Sequence, residues 1–173
     1  MSTDGTHDIH GATHVLRYER HLAHPVDRVW RALTEPGELR GWLADADIEP
    51  RPGGHVELRW LNTDDQGNTA VARGTVARFE PPRVVEYDTD IHGRLRWELA
   101  PEGDGETRLT LTVEHDTLPA EYVTKVRAGW HIHLDHLADA LAGHPVDWAR
   151  WDDEHRPRWT EIEARYAAQQ SVA

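Results

Sequence analysis

The sequence predicts one α+β domain in which a curved antiparallel sheet of six to seven strands wraps around a long helix near the C-terminus. Three observations carry this reading. Within residues 54–114, apolar and polar residues alternate with period 2, as in Leu95, Trp97 and Leu99 against Arg94, Arg96 and Glu98; such strands have one wet and one covered face. Residues 119–142 then switch to helical spacing, with Val123, Val126, Trp130, Leu134, Leu137 and Leu141 on one stripe. A chain of 173 residues fits one domain, able to bury about 70% of the surface its unfolded form exposes. Stripe and sheet face must therefore cover each other, since no other partner of that size is present.

The elements follow in order. Residues 1–13 are small, polar and aperiodic, and read as a disordered tail. Val15–Leu22 carries the β-branched and aromatic residues of a strand. Pro25 suits a helix start. Behind it Val26, Val29, Trp30 and Leu33 make one apolar helical face, broken by Pro36-Gly37, and Glu38–Leu43 reads as a second short helical turn. Strands are expected over 54–60, 70–80, 84–88, 94–99 and 108–114. They are joined by turns at Asp65-Gln66-Gly67-Asn68, Pro81-Pro82 and 101–106, which implies a meander. The long helix stops at Gly143. Beyond it Trp148, Trp151, Trp159, Ile162 and Tyr166 predict two more helical pieces, the second opened by Pro157. So many aromatics require docking on the domain or on a partner, so residues 144–173 form a helical extension to a domain at 14–143, with a homodimer through it as one option.

Composition excludes several functions. No cysteine is present, so disulfides, zinc–thiolate sites and thiol nucleophiles are ruled out, which suits a cytoplasmic location. A net charge of −12, with Lys125 the single lysine, argues against nucleic acid as a partner. No apolar run reaches the ~20 residues of a membrane span. The only serines, Ser2 and Ser171, lie near the ends, and no phosphate loop or dinucleotide fingerprint occurs. No cofactor, metal or catalytic residue is expected. The cluster His131, His133, Asp135 and His136 brings only His131 and Asp135 onto a common flank of the helix, too few for a metal.

The segments PVDRVWRALTEPGELRGWL (25–43), GTVARFEPPRVVEYDTD (74–90), TRLTLTVEHD (107–116) and AGWHIHLDHLADAL (128–141) together resemble the START-like, or SRPBCC, superfamily. The resemblance covers residues 15–141 and is nearest to the branch of heat-shock-protein-90 ATPase activator homologues. It implies the helix-grip fold, with a cavity between sheet and helix closed by the short helices. With eight tryptophans but one Phe and one Met, the lining is expected from Trp42, Trp60, Phe79, Tyr87, Trp97, Trp130, His133, Leu134 and Leu137. The resulting expectation is a hydrophobic or aromatic small-molecule binder for lipid- or polyketide-like ligands, with natural-product sequestration and resistance as one use of such a pocket. Two alternatives stand beside it: a cyclase- or hydrolase-like enzyme using His133 with Tyr87 or a pocket carboxylate, and a co-chaperone or interaction module.

Overall fold

The computed structural model describes residues 2–171. One antiparallel sheet is built from β1 (Thr6–His10), β2 (Thr13–Leu22), β3 (Ala44–Ile48), β4 (His55–Trp60), β5 (Val71–Glu80), β6 (Val84–Thr89), β7 (Gly93–Glu102) and β8 (Glu106–His115). The spatial order is β1-β2-β8-β7-β6-β5-β4-β3. After β2 the chain crosses through α1 (Val26–Thr34) and α2 (Pro36–Leu39) to the far edge. It then returns as a meander until β8 pairs with β2. This is the α+β helix-grip architecture.

Alternation decides which side chains turn inward. Leu95, Trp97 and Leu99 of β7 and Leu109, Leu111 and Val113 of β8 are buried. Between them on the outer face lie Arg94 and Arg96, which pair with Glu86 at 3.3 and 2.7 Å. The inner face is covered by α3 (Val123–Leu141), preceded by a 3-10 turn over Ala120–Tyr122. At 1.5 Å per residue its 19 residues reach about 28 Å, enough to cross the sheet. Trp130, Leu134, Leu137 and Leu141 join the sheet core.

The opposite side of α3 is also buried. Ala128 and Ile132 form a second core with Trp151, Ile162 and Tyr166, which come from α4 (Trp151–Glu154) and α5 (Arg156–Gln170). The C-terminal extension thus docks on its own domain. Trp151, Ile162 and Tyr166 are buried within the one chain, and Trp148 and Trp159 pack against them partly buried.

The sheet has eight strands where six to seven were expected, and β1 and β3 are the unforeseen ones. The segment Ala44–Ile48 reads weakly because alanine and aspartate are poor strand formers, yet it pairs with β4 along its whole length. The larger correction concerns residues 1–13, expected to be a disordered tail. Thr6–His10 pairs with Arg17 back to Thr13, and the chain ahead of it is fixed by side chains far away in sequence. The Gly5 N–H donates to the Tyr166 hydroxyl at 2.8 Å, Arg127 donates to Gly5 O at 2.8 Å, and Arg20 donates to Thr3 O at 2.8 Å. A polar tail is ordered here because its backbone groups find partners in the fold, which local composition does not reveal.

Candidate ligand-binding cleft

The interior between sheet and α3 is filled with rings. Trp42 is 1% exposed, donates its indole N–H to Ala32 O at 2.8 Å, and meets Trp97 edge-on with centroids 5.6 Å apart. Trp97 in turn meets Trp130 at 6.1 Å, and Leu134 and Leu137 close the layer. Phe79, partly buried, packs against Trp30 at 5.5 Å. Tyr87 is buried on β6; desolvation raises the pKa of its hydroxyl, which has no protein partner. These six expected lining residues belong to the packed interior.

The open space lies at one end of the grip. A cleft of about 330 Å³ is bounded by the β4–β5 loop, the N-terminal half of α3 and the start of α5. Of the expected residues, Trp60, Trp130 and His133 line it. Trp60 and Trp130 stand nearly perpendicular, 5.9 Å apart, and His133 faces Trp60 at 6.4 Å. Asn62, His92, Gly129, Trp151, Arg156 and Trp159 complete much of the wall and were not foreseen. Gly129 carried a readable signal, because glycine inside a helix weakens it by about 1 kcal/mol relative to alanine. No steric need explains it: an added Cβ would meet nothing within 4 Å. The position opens onto the cleft.

Local chemistry fixes the loop wall. Asp64 Oδ1 accepts the Gln66 and Asn68 N–H groups at 2.9 and 2.8 Å, an Asx-type turn. Arg156 donates to Thr63 O and Asp64 O at 2.9 and 3.1 Å and to Asp152 Oδ1 at 2.6 Å, with its guanidinium 5.1 Å from the Trp151 ring centre. Lys125 pairs with Asp65 at 3.1 Å. The two cations on the rim are therefore paired with carboxylates, Asp64 caps its own turn, and the walls between them are aromatic.

Of the four polar residues singled out on α3, His131 and Asp135 share a flank as expected, 3.8 Å apart, and His133 and His136 turn elsewhere. His131 Nδ1 shares a 2.8 Å hydrogen bond with the Tyr166 hydroxyl, and Arg158 of α5 approaches Asp135 at 3.9 Å, with Arg20 of β2 on its other side at 3.6 Å, so both belong to the α5 interface. His136 Nε2 accepts the Trp151 indole N–H at 3.1 Å. His133 alone lines the cleft. Its Nδ1–H donates to Gly129 O at 2.7 Å, its ring stacks on Trp148 at 6.2 Å, and Nε2 is buried without a protein partner. Burial pushes its pKa down to about 4. His92, 4.4 Å from Trp60, is likewise pushed down to about 4 by burial, helped by His115 and His133, and its Nε2 also lacks a protein partner.

The sequence profile of the Activator of Hsp90 ATPase homolog 1-like protein family matches residues 23–142. The chain belongs to this family. Solved structures agree with that placement. The crystal structure of CalU16 from Micromonospora echinospora is 25% identical with a TM-score of 0.70, covering 97% of this chain and 98% of that one. The solution structure of the BPP1335 product from Bordetella parapertussis is 28% identical, with a TM-score of 0.67 and coverages of 96% and 93%. EF2215 from Enterococcus faecalis, at 18% identity and a TM-score of 0.68 over 97% and 91%, shares the fold. No curated protein matches in sequence. These coverages extend past the family profile, so the C-terminal extension of this chain has counterparts in its structural neighbours. No helix among its described residues is long and apolar enough to cross a membrane.

Proposed function

We propose that the protein binds a hydrophobic or aromatic small molecule, of lipid- or polyketide-like character, in the cleft between the β4–β5 loop and α3. The observation that carries this is His133: a buried ring on an aromatic-walled cleft, with Nε2 left without a protein partner. A buried polar atom left unpaired costs about 1–3 kcal/mol, a penalty that a bound group relieves. The volume of about 330 Å³ sits at the low end of the roughly 300–1,000 Å³ of small-molecule pockets. Gly129 supports the same reading, since it keeps open a space that alanine would begin to fill without steric conflict.

Sequestration suits the site better than conversion. A general base works best with a pKa near the working pH, and His133 is held at about 4. Tyr87, the candidate partner in an enzyme, is not among the cleft-lining side chains. Protection of a producing cell against an aromatic natural product is one role such binding would serve.

The test is a thermal-shift and tryptophan-fluorescence screen of apolar and polycyclic natural products. A ligand at one hundred times its Kd adds about 2.7 kcal/mol of stability, which raises Tm by roughly 5–10 °C in a domain of this size. Gly129→Leu, which projects into open space, is expected to abolish that shift while the protein stays folded. A flat response across the panel, or equal binding by Gly129→Leu, would contradict the proposal.

A further inference from the structure

We infer that the cleft selects an uncharged aromatic ligand carrying at least one O–H or N–H group, which donates a hydrogen bond to His133 Nε2. This rests on the cleft-binding reading above and adds the chemical class of the ligand.

The polarity of His133 is fixed by its neighbour. A backbone carbonyl only accepts, so the 2.7 Å contact with Gly129 O places the ring proton on Nδ1. With the second protonation suppressed by burial to a pKa of about 4, the ring is neutral at pH 7. Nε2 then presents a lone pair. The residue is 2% exposed, and none of the described residues donates to that nitrogen. Asn62 Oδ1, on the loop wall of the same cleft, is a further buried acceptor without a protein partner, and His92 Nε2, whose tautomer no hydrogen bond fixes, is a third partnerless polar atom there. A ligand must bring hydrogens to His133 Nε2 and Asn62 Oδ1.

Charge on the ligand is disfavoured in both senses. Carboxylates and phosphates present only acceptors, so at Nε2 they would set lone pair against lone pair. The two cations that line the cleft among the described residues, Lys125 and Arg156, are held by Asp65 and Asp152 and do not offset this. A cationic ligand meets the converse problem. Asp65 is paired, Asp64 Oδ1 caps its turn, and the rest of the Asp64 carboxylate lies on the exposed loop away from the buried rings. A cation carried between those rings would be buried without a partner, which is strongly unfavourable. The perpendicular indoles of Trp60 and Trp130, 5.9 Å apart, offer one face and one edge to a flat ring.

The experiment compares three probes of one shape: 2-naphthol, 2-methoxynaphthalene and 2-naphthoate. Dissociation constants are read by NMR titration of the intact protein at pH 7.5. One hydrogen bond to a buried acceptor predicts that 2-naphthol binds about tenfold or more tightly than the methyl ether, with naphthoate weaker still. In His133→Phe the naphthol-to-ether ratio should fall towards one while ether binding persists, a change that steric exclusion of the methyl group would not produce. Asn62→Leu, on the loop and outside the helix core, provides a second variant should His133→Phe fold poorly, and is expected to narrow the same ratio. Equal affinities for naphthol and ether, tightest binding of naphthoate, or an unchanged ratio in both variants would overturn the inference and leave cleft binding standing. Absence of binding by all three probes would remove both.

Discussion

Three imidazoles lie inside the protein with no room for a charge. His131, His133 and His136 are each at most 2% exposed. Desolvation dominates all three, lowering His131 and His133 to about 4 and His136 to about 2. Arg20 beside His131 and His133 beside His136 act in the same direction. A histidine whose pKa falls on folding supports the fold above its unfolded value near 6.5, and that support is lost as pH drops towards the folded value. Between pH 7.5 and 5.5 each ring forfeits about 1.3 kcal/mol, and the three together about 4 kcal/mol. His92, also lowered to about 4 by burial, adds about as much as one of them. The loss is comparable with the whole margin of a domain stable by about 5 kcal/mol. Asp135, whose carboxyl is raised by burial, offsets part of the loss at the acid end. Urea unfolding at pH 7.5, 6.5 and 5.5 reads the effect directly. His136→Gln keeps an acceptor for the Trp151 indole and should reduce the pH slope by about a quarter, the share of one ring in four once His92 is included. Unfolding free energies that agree within about 1 kcal/mol across that pH range would refute the reasoning, since shifts of this size cannot cancel so fully.

Other perturbations probe the frame around the cleft. Gly93 has a φ of 69°, and a Cβ there would lie 2.1 Å from Glu114 O, so Gly93→Ala should lose more than about 1 kcal/mol in urea unfolding. Tyr166→Phe removes the acceptor of the Gly5 N–H and the partner of His131; a loss of about 1–3 kcal/mol is expected, with faster hydrogen exchange in β1. Arg156→Ala releases the β4–β5 loop from α5. Amide exchange over residues 61–70 should accelerate while global stability changes by less than about 1 kcal/mol.

The sheet and the long helix were legible because each advertises its period. Leu95, Trp97 and Leu99 alternate, Trp130, Leu134, Leu137 and Leu141 recur at helical spacing, and the structure buries them all. The second buried face of α3 was not legible. Ile132 looks like a stray apolar residue until Trp151, Ile162 and Tyr166 meet it. The cleft was half legible for a related reason. Periodicity states which side chains point inward but not how much space they leave, and Trp42 and Trp97 occupy the room that a ligand was expected to take. Asn62 and Arg156 matter through a loop whose path depends on contacts more than 90 residues apart in sequence.

The central claim is that a ligand sits at the open end of the grip and not in its interior. The most direct measurement follows the assigned ¹⁵N indole signals of the tryptophans during titration with 2-naphthol. Cleft binding predicts the largest shifts at Trp60, Trp130, Trp151 and Trp159, which line the site. Trp42, whose N–H is held by Ala32 O, should stay still. Largest shifts at Trp42 and Trp97, or saturable binding that leaves Trp60 and Trp130 unmoved, would contradict the claim.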